Sequence, residues 1–225
     1  MLARSKASEE ESEINAVNTF IFLRHGHSAA NAAGLLTGQL PGIGLSRQGR
    51  NQAEALIDRI GRGRIDFLHL SPIERCQFTI DPWLRSRNSS SLQSLQVLDG
   101  ISEIDFGRWS GRKLSSLRRE PLWKDIQNRP SVVTFPEGES FRKVQKRAVE
   151  AVEEIRSLRG KDKVHLVVSH SDTIKLIAAH YLNMKLDSFQ KLQIDPASFT
   201  VFLGDATHLS LKTMNSQATL KEILN

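Results

Sequence analysis

Short apolar runs alternate with segments of helical periodicity along most of this chain, and this alternation constrains the fold more than any other feature. The runs at 17–23 and 164–168 each have the length of one buried strand. Between them, residues 46–60 place apolar side chains on one helical face, with Ser46 where a helix cap is expected. Alternating strands and helices predict a three-layer α/β/α fold around a mostly parallel central sheet.

The remaining predicted elements continue the alternation. Residues 66–70 predict a short strand, after which Ser71 and Pro72 open a helix with the proline in its first turn. A third strand is predicted at 95–98 and a long amphipathic helix at about 141–158. A further helix follows at 172–182, and two closing strands follow at 198–203 and 209–213.

Length and composition indicate one globular domain. The chain has 225 residues, 39% of them hydrophobic and 25% charged. Residues 1–16 are polar and rich in glutamate, so we predict a flexible N-terminal tail followed by one domain at 17–225. The single cysteine, Cys76, excludes an internal disulfide. Because neither a membrane span nor a secretory signal is evident, we expect a cytoplasmic protein that does not bind membranes.

The charge balance is basic, with a net charge of +6 and a pI of about 9.7. A basic surface suits anionic partners, which include phosphorylated metabolites and nucleic acids. The basic residues are scattered and are not interleaved with aromatic residues, so we expect no nucleic-acid partner. Of the anionic partners, we therefore expect a small phosphorylated substrate. The alternative is that the basic residues are merely solvated and bind no partner.

Residues able to carry chemistry follow four of the predicted strands. They are Arg24 and His25 after the first strand, Arg75 after the second, Glu103 after the third and His170 after the fourth. Ligands of parallel α/β sheets bind beyond the carboxyl ends of the strands. We therefore expect these five side chains to meet at one edge of the sheet.

The residue types at this edge suit phosphoryl chemistry. Arginine offers a planar fork of donors that matches phosphate oxygens, and Gly26 lets the backbone approach a ligand closely. The neutral imidazole of His25 can attack phosphorus, and a carboxylic acid can protonate the leaving oxygen. Glu103 and Asp105 are both candidates for that acid. Four other histidines are expected to be packed in strands or to lie on the surface: His69, His165, His180 and His208.

Further motifs occur in order along the chain. They are Arg24-His25-Gly26, Asn31, Gly44-Leu45-Ser46 with Gly49, Gln52 and Ala53, Ser71-Pro72 with Arg75 and Thr79, Glu103 with Phe106-Gly107 and Gly111, residues 136–140, and Ser169-His170. Over about residues 17–213 the chain thus resembles the histidine phosphatase superfamily, also called the phosphoglycerate-mutase-like family. Stretches 120–123 and 194–198 are similar to an actinobacterial subgroup of phosphomutases or phosphatases.

The resemblance implies a Rossmann-like, phosphoglycerate-mutase-like fold with a cap-like insertion around residues 104–137. It also implies that His25 accepts the phosphoryl group and that Glu103 is first the general acid and then the base that activates water. The phosphoryl oxygens would be held by Arg24, Arg75 and a cationic His170, with Asn31 assisting. Neither a metal nor another cofactor is implied. Three positions depart from the family's usual residues: His27, Cys76 and Ser171.

The predicted function is hydrolysis of a small phosphorylated metabolite through a phosphohistidine. The alternative is phosphoryl transfer of the phosphoglycerate-mutase type, although true mutases carry longer segments over the site. A non-catalytic phosphate-binding module and a metallohydrolase that uses His25, His27 and His170 are the other classes. The sequence leaves open whether the protein is a homodimer. It also leaves open whether four basic residues meet a substrate or are solvated, namely Arg112, Lys113, Arg118 and Arg119.

Overall fold

The computed structural model describes residues 17–86, 89–158, 160, 162–205 and 207–225. Within them, six strands form one sheet in the order β4-β3-β6-β1-β7-β8. These strands are β1 (Asn18–Arg24), β3 (Phe67–Leu70), β4 (Ser94–Val97), β6 (Val164–Ser169), β7 (Phe199–Gly204) and β8 (Leu209–Ser216). The predicted tail at 1–16 lies outside the described residues.

The first four strands of this order run parallel to one another, whereas β7 and β8 pair antiparallel at one side. The parallel pairing of β1 with β6 sets Arg24 opposite Ser169. The residues that follow these two strands, His25 and His170, therefore leave the sheet side by side. The predicted mostly parallel sheet is confirmed.

Helices cover both faces of the sheet. They are α1 (Ala29–Ala33), α2 (Arg47–Ile60), α3 (Glu74–Arg85), α4 (Leu114–Leu117), α5 (Pro121–Asn128), α6 (Phe141–Ser157), α7 (Ser171–Tyr181) and α8 (Leu220–Leu224). Successive side chains of a strand point to opposite faces. Accordingly Ile21 and Leu23 of β1 pack in a core with α2, α3 and α8, and Phe20 and Phe22 pack in a second core with α6 and α7. None of the helices in the described residues has the length and apolar character needed to cross a membrane.

The predicted starts of two helices have different outcomes. Ser46 caps α2 as expected, because its hydroxyl accepts a hydrogen bond from the Gly49 amide at 3.1 Å. The prediction that Pro72 lies in the first turn of α3 is wrong, since that helix begins at Glu74. The Ser71 hydroxyl accepts from the Ile73 amide at 3.3 Å, and this local turn delays the helix.

Residues between β4 and α6 supply most of a third apolar cluster, which is rich in aromatic side chains and also includes residues of α6 and α7. Trp109 stacks on Trp123 and meets Phe135 edge to face. A two-stranded sheet of β2 (Leu35–Leu36) and β5 (Arg112–Lys113) joins this segment to the loop after α1. That pairing fixes the segment beside the carboxyl ends of the parallel strands.

Two histidines are buried inside the sheet, as the strand pattern predicts. His69 Nε2 and His165 Nδ1 are 3.2 Å apart, and His165 stacks between Phe20 and Phe67. Burial lowers the pKa of each imidazole to about 4. The folded-state pKa is thus below the ordinary value, so the unfolded chain binds more protons at mildly acidic pH. Stability contributed by neutral His69 and His165 is complete above about pH 6.5 and is lost as the pH falls toward 4.

We expect the pH dependence of unfolding to weaken when both histidines are replaced. Between pH 7 and 5, each should account for on the order of 2 kcal/mol of lost unfolding free energy. Urea denaturation of the His69→Leu/His165→Phe variant should show a smaller loss than the wild type, whereas exposed His180→Gln should leave it unchanged. An equal loss in the double variant and the wild type would contradict the assignment.

Candidate active site

The predicted site residues meet in a cavity of about 220 Å³ at the carboxyl ends of β1, β3 and β6. Arg24, His25, Asn31, Arg75 and Glu103 line this cavity. His170 is fully buried beside them, with its ring centroid 5.2 Å from that of His25. The sheet edge thus brings together the six residues that the resemblance implies for the site, whereas Asp105 and His27 do not line the cavity.

The His25 imidazole is held in one tautomer. Its Nδ1 lies 2.7 Å from the Gly26 carbonyl oxygen, which can only accept, so Nδ1 carries the proton. Its Nε2 accepts a hydrogen bond from Arg75 Nε at 3.1 Å and is therefore unprotonated. Burial, followed by the charges of Arg75 and Arg24, lowers the pKa of His25 well below its usual range. The result is a neutral imidazole with a lone pair on Nε2.

The backbone around His25 is tightly fitted. The His25 amide donates to the Ser169 carbonyl at 2.9 Å, which extends the pairing of β1 with β6. The Gly26 amide donates to the Thr79 hydroxyl at 2.8 Å. A side chain at Gly26 would place its Cβ only 3.0 Å from the Gly49 carbonyl oxygen. Glycine at this position therefore lets the loop pass close to α2 and fixes the histidine that precedes it.

Two arginines offer donors to an anion. Arg75 Nη2 binds the Gly38 carbonyl at 2.8 Å and His170 Nδ1 at 3.0 Å, and Arg24 Nη1 binds the Ile194 carbonyl at 2.6 Å. In the described structure Arg75 Nη1 and Arg24 Nε are buried without a hydrogen-bond partner. Buried donors of this kind are costly unless they bind a ligand. Their position suits the oxygens of a phosphoryl group.

His170 is neutral in the structure. Because its Nδ1 accepts from Arg75, the proton of the neutral ring is on Nε2, and this nitrogen lies 2.7 Å from the Ser71 hydroxyl oxygen. Burial, followed by the charge of Arg75, lowers the pKa of His170 well below its usual range. The sequence predicted a cationic His170 beside a phosphate. A bound dianion would raise this pKa, whereas burial and the charge of Arg75 favour the neutral ring.

Glu103 is a buried carboxyl group that faces the two arginines. Its Oε1 accepts two hydrogen bonds, from the Ile104 amide at 3.1 Å and from the Thr173 hydroxyl at 3.2 Å. Burial and the charge of Asp172 raise the pKa of Glu103, although Arg75 and Arg24 act in the opposite direction. A raised pKa favours the protonated carboxylic acid, which is the form that a general acid needs.

The competing acid, Asp105, does not line the cavity. Its Oδ1 accepts from the Gly107 amide at 2.9 Å, and its own amide donates to Glu139 Oε2 at 3.1 Å. The Glu103 backbone is held independently, because its carbonyl accepts from Gln39 Nε2 and Arg147 Nη2. The two carboxylates thus have different surroundings, and Glu103 alone of the pair lines the cavity.

Comparison with known proteins decides the family. Residues 20–217 match the family model of the histidine phosphatase superfamily, branch 1. This chain belongs to the histidine phosphatase superfamily. The predicted family and its fold are therefore confirmed, whereas the actinobacterial subgroup stays a prediction.

The chain is similar to named phosphatases and to a named mutase, and its fold is similar to solved structures. Phosphoserine phosphatase 1 of Hydrogenobacter thermophilus is 30% identical over 184 residues, which cover 80% of this chain and 84% of that protein. The 2,3-bisphosphoglycerate-dependent phosphoglycerate mutase of Thermoplasma acidophilum is 27% identical over 181 residues, which cover 80% and 84%. The alpha-ribazole phosphatase of Shigella flexneri superposes with a TM-score of 0.78 at 24% identity, over 89% of this chain and 98% of that one.

The structure also places the residues that depart from the usual superfamily pattern. The His27 ring lies 2.9 Å from the Ser46 hydroxyl and does not line the cavity. Cys76 is buried 3.5 Å from His170 Nε2, where it fills space beside that ring. Ser171 lines the cavity at the start of α7, so the positive end of the helix dipole lies there.

Asn31 lines the cavity as predicted, but its Oδ1 accepts from the Ser28 amide and hydroxyl, which leaves only its NH₂ group for a phosphate.

Other cavity residues were missing from the sequence prediction. Asp172 lies two residues after His170 in the sequence, and this proximity could have indicated that it lines the cavity. Leu35 and Leu36 carry no comparable signal, because a two-residue strand has no periodicity to detect. The unpredicted lining residues include Ser28, Leu35, Leu36, Thr37, Leu114 and Asp172.

Proposed function

We propose that this superfamily member hydrolyses phosphomonoesters through a phosphohistidine formed on His25. The observation that carries the proposal is the unprotonated Nε2 of His25 beside two arginines with unpartnered donors. Glu103, with its raised pKa, completes the set. Relatives that bear the names of phosphatases and of one mutase are consistent with it.

In the first step, Arg24 and Arg75 bind the phosphoryl oxygens and neutralise their charge. The lone pair of His25 Nε2 attacks phosphorus as the bond to the ester oxygen breaks. Glu103 gives its proton to the departing oxygen, which leaves as a neutral alcohol. The products of this step are the alcohol, a phosphohistidine and a Glu103 carboxylate.

In the second step, the Glu103 carboxylate takes a proton from a water molecule whose oxygen attacks phosphorus. The bond between phosphorus and Nε2 breaks, and its electron pair returns to the imidazole. Inorganic phosphate leaves, and Glu103 is protonated again for the next cycle. One water molecule is consumed for each ester cleaved.

Metal-independence is part of the proposal, because the arginines and the start of α7 supply the positive charge that other phosphoryl-transfer enzymes take from metal ions. Among the described residues no group of three or more His, Cys, Asp or Glu side chains is placed to hold a metal ion. His27, which the metallohydrolase alternative requires, binds Ser46 instead. Full activity after exhaustive chelation supports the proposal, whereas activity restored only by a divalent ion would favour a metallohydrolase.

Hydrolysis is favoured over mutase activity by the charges that line the cavity. A phosphoglycerate mutase binds a substrate with a carboxylate and a further phosphoryl group, which need additional cations. Among the lining residues Arg24 and Arg75 are the cations, and the proposed first step uses both of them to bind the transferred phosphoryl group. Release of inorganic phosphate from simple phosphomonoesters tests the proposal. Transfer between hydroxyls of phosphoglycerate without phosphate release would instead identify a mutase.

Arg75→Ala should reduce kcat/KM by about 10²-fold, because a buried charged donor to the transition state is worth about 3 kcal/mol. Arg75→Lys should recover only part of the loss, since lysine cannot bind His25, the Gly38 carbonyl and an oxyanion from one planar group. Exposed Arg85→Ala, on the same helix, is the matched control. Near-normal kcat/KM for Arg75→Ala would remove this residue from the proposed site.

A further inference from the structure

We infer that the cavity selects phosphomonoesters whose alcohol part is apolar or cationic and carries no second anionic group. This inference rests on the proposed hydrolysis at His25 and adds the substrate class. Three features carry it: the hydrogen bonds of the two lining arginines, the carboxylate of Asp172, and an apolar wall formed by β2 together with the segment between β4 and α6.

The positive charge of the cavity is committed to one phosphoryl group. Arg24 and Arg75 each donate to a backbone carbonyl, and in the described structure each has one buried nitrogen without a hydrogen-bond partner. Both arginines line the cavity together with His25. The basic residues that the sequence left open do not line the cavity. Arg112 pairs with Glu120, and Lys113 is exposed. A second anionic group would therefore enter without a cation to receive it.

The carboxylate of Asp172 adds a negative charge to the cavity. Asp172 lines the cavity and its side chain is 23% exposed. Lys175, which is not a lining residue, binds Asp172 Oδ1 at 3.2 Å and Gln190 Oε1 at 3.4 Å. The ion pair weakens the field of Asp172 without cancelling it, since that charge still raises the pKa of Glu103. An anionic substrate group near Asp172 is repelled, and an ammonium group is attracted.

Another part of the cavity lining is apolar. It consists of Leu35, Leu36, Phe106 and Leu114. Backbone bonds hold this wall in place, because the Leu114 amide donates to the Gly34 carbonyl at 2.9 Å and the Gly111 amide to the Leu36 carbonyl at 2.7 Å. Hydrocarbon in the alcohol part buries against these side chains, whereas a carboxylate would lose water there without a partner. Residues 104–137 thus contribute to specificity through Phe106 and Leu114, and β2 contributes through Leu35 and Leu36.

The test compares three small esters of similar size: propyl phosphate, 2-aminoethyl phosphate and phosphoglycolate, which are neutral, cationic and anionic beyond the phosphate. The wild type should cleave propyl phosphate and 2-aminoethyl phosphate with kcat/KM at least about tenfold above phosphoglycolate. Asp172→Asn should lower the ratio for 2-aminoethyl over propyl phosphate several-fold. The substitution also changes the pKa of Glu103, but this change affects both substrates and therefore cancels in a ratio taken within one variant.

A gain-of-function variant tests the wall. Leu114→Lys introduces a cation on the apolar side and should raise the ratio for phosphoglycolate over propyl phosphate about tenfold. Val132→Lys adds the same charge at a residue that is 63% exposed and does not line the cavity, so it should leave the ratio unchanged. Circular dichroism of each variant checks that the fold is intact.

The outcomes separate the two proposals. If p-nitrophenyl phosphate and the neutral ester are hydrolysed but phosphoglycolate is cleaved as well or better, the inferred substrate class is overturned and the proposed hydrolysis stands. An unchanged charge preference in both Asp172→Asn and Leu114→Lys also overturns it. If no phosphomonoester releases phosphate, the proposed function fails and this inference fails with it.

Discussion

His25→Ala abolishes turnover in our account, with a loss on the order of 10⁴-fold or more for every phosphomonoester. The size of the effect follows from the role of Nε2, which forms the bond to phosphorus and has no substitute at the same place. Binding of the substrate should persist, because Arg24 and Arg75 remain. Steady-state kinetics, together with equilibrium binding of inorganic phosphate, measures both quantities.

His27→Ala is the matched control for this variant. It removes a histidine two residues away that binds Ser46 and does not line the cavity, so kcat/KM should stay within about tenfold of the wild type. Thermal unfolding should show that both variants fold. An active His25→Ala enzyme, or an equal loss from His27→Ala, would place the nucleophile elsewhere.

Glu103→Gln should slow alkyl phosphates by roughly 10²–10⁴-fold and an activated aryl phosphate much less in the first step. An alkoxide needs a proton as it leaves, whereas a nitrophenolate leaves without one. Glutamine keeps the size and some hydrogen bonding of Glu103 but cannot donate an acidic proton. Hydrolysis of the phosphohistidine still requires a base, so this step should become limiting and nitrophenolate should be released in a burst.

Asp105→Asn separates acid catalysis from a general effect of lost charge. Asp105 binds the Gly107 amide and does not line the cavity, so its replacement should change the pre-steady-state rates little on either substrate type. Equal slowing of alkyl and aryl phosphates by Glu103→Gln would remove Glu103 from the role of general acid. A larger loss from Asp105→Asn would assign the role to that residue.

The meeting of the site residues could be predicted because it depends on topology alone. Once 17–23 and 164–168 are taken as neighbouring parallel strands, His25 and His170 must emerge at the same edge. The protonation state of His170 could not be predicted in the same way. It depends on complete burial and on Arg75 Nη2 at 3.0 Å, which only the three-dimensional arrangement supplies.

The apolar wall was also beyond sequence reasoning. Leu35 and Leu36 form a two-residue strand whose partner, Arg112–Lys113, is distant in the chain, so neither periodicity nor a turn motif indicates the pairing. The start of α3 was also predicted wrongly from the sequence. Proline favours the first turn of a helix, yet the Ser71 hydroxyl forms a turn with Ile73 and the helix begins at Glu74.

The central claim is that the phosphoryl group passes through His25, and direct capture of the phosphoenzyme tests it. Glu103→Gln should be mixed with p-nitrophenyl phosphate, quenched in alkali within milliseconds and mapped by mass spectrometry under alkaline conditions, because phosphohistidine is labile in acid. We expect close to one phosphoryl group per chain on His25, in an amount equal to the nitrophenolate burst. A phosphoryl group on another residue, or a burst without any phosphoenzyme, would contradict it.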